Sequence, residues 1–212
     1  SSTSRGLGDV YKRQLLKVIR QIRDNVNLLS VISLTFVFNI FALPFIALIS
    51  LLLIEKFNPN ELYIGMFTSL EGIGALLGGT AITIIAINKK LISFIAFLAI
   101  ILLCISLSAS SNSIYMYLLS ILIFGMATAC YSALQSTIIY LNSTPELRSS
   151  TFSLLTIAIG CGALGSLNIY LMSTFFTTED ISNIMAIEGL LVGLVFIIIA
   201  LVRFPLSKFF EK

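Results

Sequence analysis

The feature that most constrains this chain is a series of six apolar runs, each bounded by a polar cluster and each of a length suited to crossing a bilayer as a helix. A hydrocarbon core about 30 Å thick takes about twenty helical residues. The runs are Leu28 to Ile54, Leu62 to Ile87, Leu91 to Ser108, Ser113 to Leu141, Ser150 to Phe176 and Ile184 to Val202. Only SASSNS (Ser108 to Ser113) divides the third from the fourth, but together they cover about fifty residues, which need two crossings. Composition agrees: 58% of the 212 residues are apolar, 11% are charged and the mean hydropathy is +1.03. A soluble domain carries about a quarter charged residues, and a disordered chain is poorer still in apolar ones. The expected fold is an all-α membrane protein of six transmembrane helices.

The charges test that count independently. With the amino end inside, the inner segments hold Lys17, Arg20, Arg23, Lys89, Lys90, Arg148, Arg203, Lys208 and Lys212, whereas the outer loops hold Lys56 beside Glu55, Glu61, Glu179 and Asp180. Cations gather on the cytoplasmic side of membrane proteins, so this arrangement predicts a multi-pass protein of the cell (inner) membrane with both termini cytoplasmic. Merging the third and fourth runs would put Arg148 and the basic tail outside. The net charge of +3 is too small to argue for a nucleic-acid partner.

Residues 1–14, SSTSRGLGDVYKRQ, are polar and lack the apolar core of a signal peptide. DVYKRQ matches the translation of the end sequence of transposase-type sequencing adapters, so the stretch reads as an assembly scar, with a hydrophilic linker as the alternative. On the first reading the natural chain extends upstream of Leu15 and the sequence is a fragment. Residues 15–27 place Leu15, Val18, Ile19 and Ile22 between cations, a pattern that fits a cytoplasmic amphipathic helix as well as an extension of the first span. The bundle itself is expected over 28–203 and a cytoplasmic tail over 204–212. Asn60 before Glu61 is expected to cap the second span, and Thr144, Pro145 and Glu146 to start the fifth.

Several chemistries are excluded. The chain has no His, which removes imidazole as metal ligand, general base and pH switch. Cys104, Cys130 and Cys161 stand alone in apolar stretches, without the spacing of a zinc site or a disulfide framework. An intramembrane aspartyl protease needs Asp within its spans, but Asp9, Asp24 and Asp180 lie outside them. No enzyme activity, metal or cofactor is expected.

Glu71 is the most informative single residue. It lies in TSLEGIGALLGG, roughly nine residues inside a helix rising about 1.5 Å per residue, too deep to reach outer water easily. A carboxylate there needs a polar cavity, a proton or a partner, so it marks a candidate site. Asn39, Tyr131, Gln135 and Asn168 also lie at membrane depth, and Glu188 lies near an outer end. Tyr131 and Gln135, four residues apart, share a helix face and can serve one cavity. For each of these an interhelical hydrogen bond is the plainer role. Glycines cluster in the second run (Gly65, Gly72, Gly74, Gly78, Gly79) and the fifth (Gly160, Gly162, Gly165), where they are expected to let helix backbones approach closely. These two runs are the middle members of successive triplets, as in inverted three-helix repeats. Pro44 removes a backbone hydrogen bond within the first run and predicts a kink.

With these features in place, the chain resembles the carboxyl-terminal half of a major facilitator superfamily transporter, in the drug and macrolide efflux branch, from Leu15 to about Pro205. The resemblance is carried by QSTIIYLNSTPELRSSTFSLLTIAIGCGALGS (Gln135 to Ser166) and ELYIGMFTSLEGIGALLGG (Glu61 to Gly79). The loop Asn88 to Lys90 keeps its cations but lacks the family's fuller Asp and Arg signature, and the fifth run lacks the proline of the antiporter motif found in the other half of many relatives. The resemblance implies one half of a major facilitator fold, made of two inverted repeats, and a missing amino-terminal six-helix half. It implies secondary active transport, here proton-coupled efflux of a small amphipathic or lipophilic compound. Glu71 would serve as the proton or substrate carboxylate, Asn39, Tyr131 and Gln135 would line the path, and Lys89, Lys90 and Arg148 would lie in cytoplasmic loops. A permease subunit of an ATP-driven transporter and a half-sized assembly subunit are the alternatives.

Overall fold

The computed structural model describes residues 15–205 and Phe209; the segment 1–14 and most of the tail read from the sequence lie outside the described residues. Every regular element is helical: α1 (15–24), α2 (Val26–Val37), a π-helical turn (Phe38–Ala42), α3 (Phe45–Phe57), α4 (Glu61–Ile84), α5 (Lys90–Ser110), α6 (Ile114–Asn142), α7 (Arg148–Gly160), α8 (Gly162–Met172) and α9 (Thr178–Arg203). Six stretches are long and apolar enough to cross a membrane: Val26–Phe57, Glu61–Ile84, Lys90–Ser110, Ile114–Asn142, Arg148–Met172 and Thr178–Arg203. The chain is therefore a multi-pass, all-α membrane protein, a bundle of about six spans. The first span is the hub, with 56% of its most apolar stretch buried against 11% for the second and 22% for the fifth. It touches all five other spans, while α4 leans chiefly on α6, and α5 lies between α6 and α9.

Local chemistry sets the ends. Asn25 interrupts the backbone between α1 and α2, and its side chain accepts from the amides of Asn27 (2.9 Å) and Leu28 (3.2 Å), an N-cap that starts the first span afresh. Asn58, at φ 40° and ψ 51°, ends α3 in the left-handed conformation that Asn tolerates, with Pro59 following. Thr177 and Asp180 form a reciprocal capping box that starts α9 six residues before the apolar run begins. Asn60 precedes α4 without a side-chain cap bond. The fifth span differs from expectation: residues 145–147 form a turn, closed by the Leu147 amide on Thr144 O at 3.1 Å, and the helix starts at Arg148.

The two ends of the bundle are fastened differently. At one end Lys56 pairs with Glu179 at 3.1 Å and donates to the carbonyl of Ala109, while Thr178 donates to Glu55 at 2.9 Å. Lys56 thereby joins the ends of the first, third and sixth spans, and its charge meets a free carbonyl at the carboxyl end of α5. At the other end Asn142 accepts from Asn27 (2.7 Å) and Gln21 (3.4 Å), and Asp24 pairs with Arg203 at 3.7 Å. The Lys56 side chain is largely buried, so Lys56→Met should cost about 2 kcal/mol, the value of a hydrogen-bonded charge. Chemical denaturation in detergent micelles measures it; an unchanged midpoint would show that the latch contributes nothing.

Candidate functional site

Two of the spans are interrupted halfway along. In the first, α2 passes into the π-helical turn Phe38–Ala42, whose closing bond runs from the Leu43 amide to Phe38 O at 2.8 Å. Pro44 follows. An α-helix would satisfy Ile40 O with the amide of residue 44, and a π-turn would satisfy Asn39 O with that same amide; proline has none. The missing amide therefore leaves one carbonyl of the turn, Ile40 O in the α register or Asn39 O in the π register, without its usual donor. In the fifth span the interruption is Cys161, between α7 and α8. Interrupted spans at mid-membrane depth are unusual because unpaired backbone groups are costly in lipid, so they are tolerated where protein or a cavity covers them.

The two interruptions face one another. A Cβ added at Gly165 would collide with Ile40 O and lie 2.6 Å from Pro44 Cγ, and one added at Gly162 would lie 3.5 Å from Asn39 O and 3.9 Å from Asn39 Oδ1. The Asn39 and Ile40 carbonyls, the two that an amide at position 44 could serve, are the two that meet the glycines of the fifth span. Beside the crossing lies an open apolar groove of about 390 Å³, lined by Leu43, Pro44, Ile46, Ala47, Gly162 and Ser166.

Three of the polar residues singled out in the sequence come together on the other side of this turn. Asn39 is buried and donates to Thr35 O at 2.9 Å; Gln135 donates to Thr35 Oγ1 at 2.6 Å, which in turn donates to Val31 O at 2.7 Å. Tyr131, one turn before Gln135, is fully buried with its ring between Phe38 (centroids 4.8 Å apart) and Phe94 (4.2 Å). Tyr131 and Gln135 therefore face the first span together but line no open path. Thr35, which joins Asn39 to Gln135, escaped the sequence reading because a threonine in an apolar run usually bonds only its own helix.

Glu71 stands apart from this group. It is half-buried in the middle of α4, and its carboxylate makes no hydrogen bond or ion pair among the described residues; only its backbone is enclosed, against Gly125. Other polar side chains along α4 are self-sufficient: Thr68, Ser69, Thr80 and Thr83 donate to carbonyls three or four residues back. A carboxylate has no such recourse.

The glycines divide. Gly74 and Gly78 abut the backbone of Leu122 and Met126 on α6, and Gly162 and Gly165 abut the first span; Gly65, Gly72, Gly79 and Gly160 have no neighbouring atom within 4 Å of where a Cβ would sit. The packing contact expected at these four is not made among the described residues, because they point away from the neighbouring helices. Gly125 on α6, which the sequence reading missed, completes the α4–α6 crossing against Glu71 and Ala75. Of the loop cations, Lys89 and Lys90 sit at the start of α5, and Arg148 lays its guanidinium over the Tyr140 ring at 3.9 Å. Among the described residues no cluster of three His, Cys, Asp or Glu is placed to hold a metal, and all three cysteines are free.

Fold and site together define a polytopic membrane protein built on interrupted helices. No protein-family model matches the chain, and no curated protein or solved structure matches it either.

Proposed function

We propose that the chain is the carboxyl-terminal half of a major facilitator-type secondary transporter that exports a small amphipathic or lipophilic compound in exchange for protons. The observation that carries this reading is the crossing of two interrupted spans halfway along their length. Secondary transporters build their substrate and ion sites near the bilayer midplane from discontinuous helices of this kind. The groove at the crossing offers an apolar wall to such a compound. Glu71 is the proton carrier in this scheme, a carboxylate at membrane depth without a partner. The second and fifth spans are the least covered, which supports the reading that a second six-helix half packs against them. The cation-rich end is cytoplasmic by the distribution of Lys and Arg.

The test is reconstitution of the natural full-length protein in vesicles with an imposed proton gradient and a panel of lipophilic dyes. Gradient-driven dye movement is expected; Glu71→Gln should abolish coupling while leaving dye binding, and Gly162→Leu, which fills the groove, should weaken dye binding at least 10-fold. Movement that depends on ATP and a copurifying ATPase would replace this reading with that of an ATP-driven permease. Gradient-driven movement unaltered by Glu71→Gln would remove the proton role.

A further inference from the structure

Helix α1 lies outside the six spans and is pinned along one edge. Val18 and Ile22 are 0% and 8% exposed, Gln21 donates to the carbonyl of Asn142, and Asp24 pairs with Arg203. With that edge fixed, the helix cannot turn its remaining apolar side chains inward. Leu15, Leu16 and Ile19 stay 49%, 58% and 47% exposed. At about 100° per residue they form a continuous flank beside the buried edge. Arg23 falls within this flank, between Ile19 and Leu16, and Arg20 and Lys17 continue around the helix. Arg20 and Lys17 have no partner among the described residues, and Arg23 bonds only its neighbour Asp24, at 3.3 Å. Leu16, Ile19 and the three cations together line a depression of about 300 Å³.

A water-facing surface has no reason to display three large aliphatic side chains, and a protein core has none to hold three cations. One environment satisfies both at the edge of a transmembrane bundle: the boundary of the bilayer, with aliphatic side chains among acyl chains and Lys and Arg at headgroup level. We infer that α1 is a binding site for an acidic phospholipid in the leaflet at the cation-rich end, its phosphate held by Lys17, Arg20 and Arg23 and its acyl chains lying on Leu15, Leu16 and Ile19. Charge selects the lipid: a zwitterionic headgroup carries its own cation and gains little from three more. Each cation near an acidic membrane surface is worth about 1 kcal/mol, so the three together favour an acidic lipid by roughly 100-fold. Because α1 also touches the ends of the fourth and sixth spans, the bound lipid braces the bundle at that end. The inference is independent of what, if anything, the bundle transports.

The experiment is native mass spectrometry of the detergent-purified chain titrated with phosphatidylglycerol, phosphatidylcholine and water-soluble glycerol phosphate. Phosphatidylglycerol is expected to bind at least 10-fold tighter than phosphatidylcholine and to raise the thermal unfolding midpoint. The triple variant Lys17→Gln, Arg20→Gln, Arg23→Gln should lose both effects, whereas Lys90→Gln at the same end of the bundle should keep them. All three substituted side chains are exposed, and circular dichroism of the lipid-free variant verifies that it folds. Equal binding of the two phospholipids, or undiminished phosphatidylglycerol binding by the triple variant, would overturn the inference. Glycerol phosphate binding as tightly as the lipid would identify a site for a soluble phosphate ester and would equally refute it.

Discussion

Gly78→Val should prevent α4 from joining the bundle. A Cβ at position 78 would sit 2.7 Å from Met126 Cα and 2.8 Å from its carbonyl carbon; one at Gly74 would sit 3.1 Å from Leu122 C and Met126 N; and one at Gly125 on the opposite helix would sit 2.9 Å from Glu71 C. Every one of these neighbours is backbone, so no rotamer change relieves the overlap and the helices must separate. Separation is costly here because lipid is as apolar as the side chains and supplies no hydrophobic drive to rejoin; close packing is what holds the pair. The second span has little else to hold it, with only 11% of its most apolar stretch buried. Overpacking of this kind costs about 3 kcal/mol, enough to detach a span so lightly covered. Gly72→Ala and Gly79→Ala are the matched controls on the same helix: with open space around both, they should be neutral or stabilising by up to about 1 kcal/mol, as expected of glycine to alanine in a helix. Unfolding in mixed micelles separates the two groups, and equal effects at positions 78 and 79 would contradict the close crossing.

Gly165→Val should be nearly as damaging, and Pro44→Ala should act in the opposite sense. Valine at 165 would drive a side chain into Ile40 O and to within 2.6 Å of Pro44 Cγ, pushing α8 off the π-helical turn at a cost of about 2 kcal/mol. Alanine at 44 keeps the backbone conformation (φ −64°, ψ −17°) and restores an amide that Asn39 O or Ile40 O can accept. A recovered hydrogen bond contributes about 1 kcal/mol. Gly165→Val is therefore expected to lower the unfolding midpoint and Pro44→Ala to raise it. Hydrogen exchange at the amides of residues 42–46 reads the change directly: slower in Pro44→Ala, faster in Gly165→Val. Unchanged exchange in both would mean that the turn is fixed by something other than Pro44 and Gly165.

The count of six spans was legible because length and hydropathy alone determine how often a chain of this kind crosses a bilayer. Ends were less so. The last span begins at Thr178, six residues before the apolar run, because TEDISN lowers the local hydropathy while its capping box starts the helix. The second span stops at Ile84 although Ile85 and Ile87 continue the run, since Ile85 is extended (ψ 117°); hydropathy reports where lipid is, not where the helix ends. Pro44 announced a disturbance, but not a π-helical turn, whose register answers to glycines more than a hundred residues away. Likewise Gly74 and Gly78 were visible as a small-residue pair, whereas their counterpart Gly125 looked like an isolated glycine in an ordinary helix. Polarity at depth picks out Asn39, Tyr131 and Gln135, but not Thr35, through which Asn39 and Gln135 are joined.

The last helix is moored at both extremities, through Glu179 and Thr178 to Lys56 and Glu55, and through Arg203 to Asp24. Helix α9 is therefore a girder held by charge to the hub span at one end and to α1 at the other. The spans that the bundle covers least are α4 and the α7–α8 pair. A spin-label pair between α9 and α3 should then keep one distance under conditions that broaden the distances from α9 to α4 or α8.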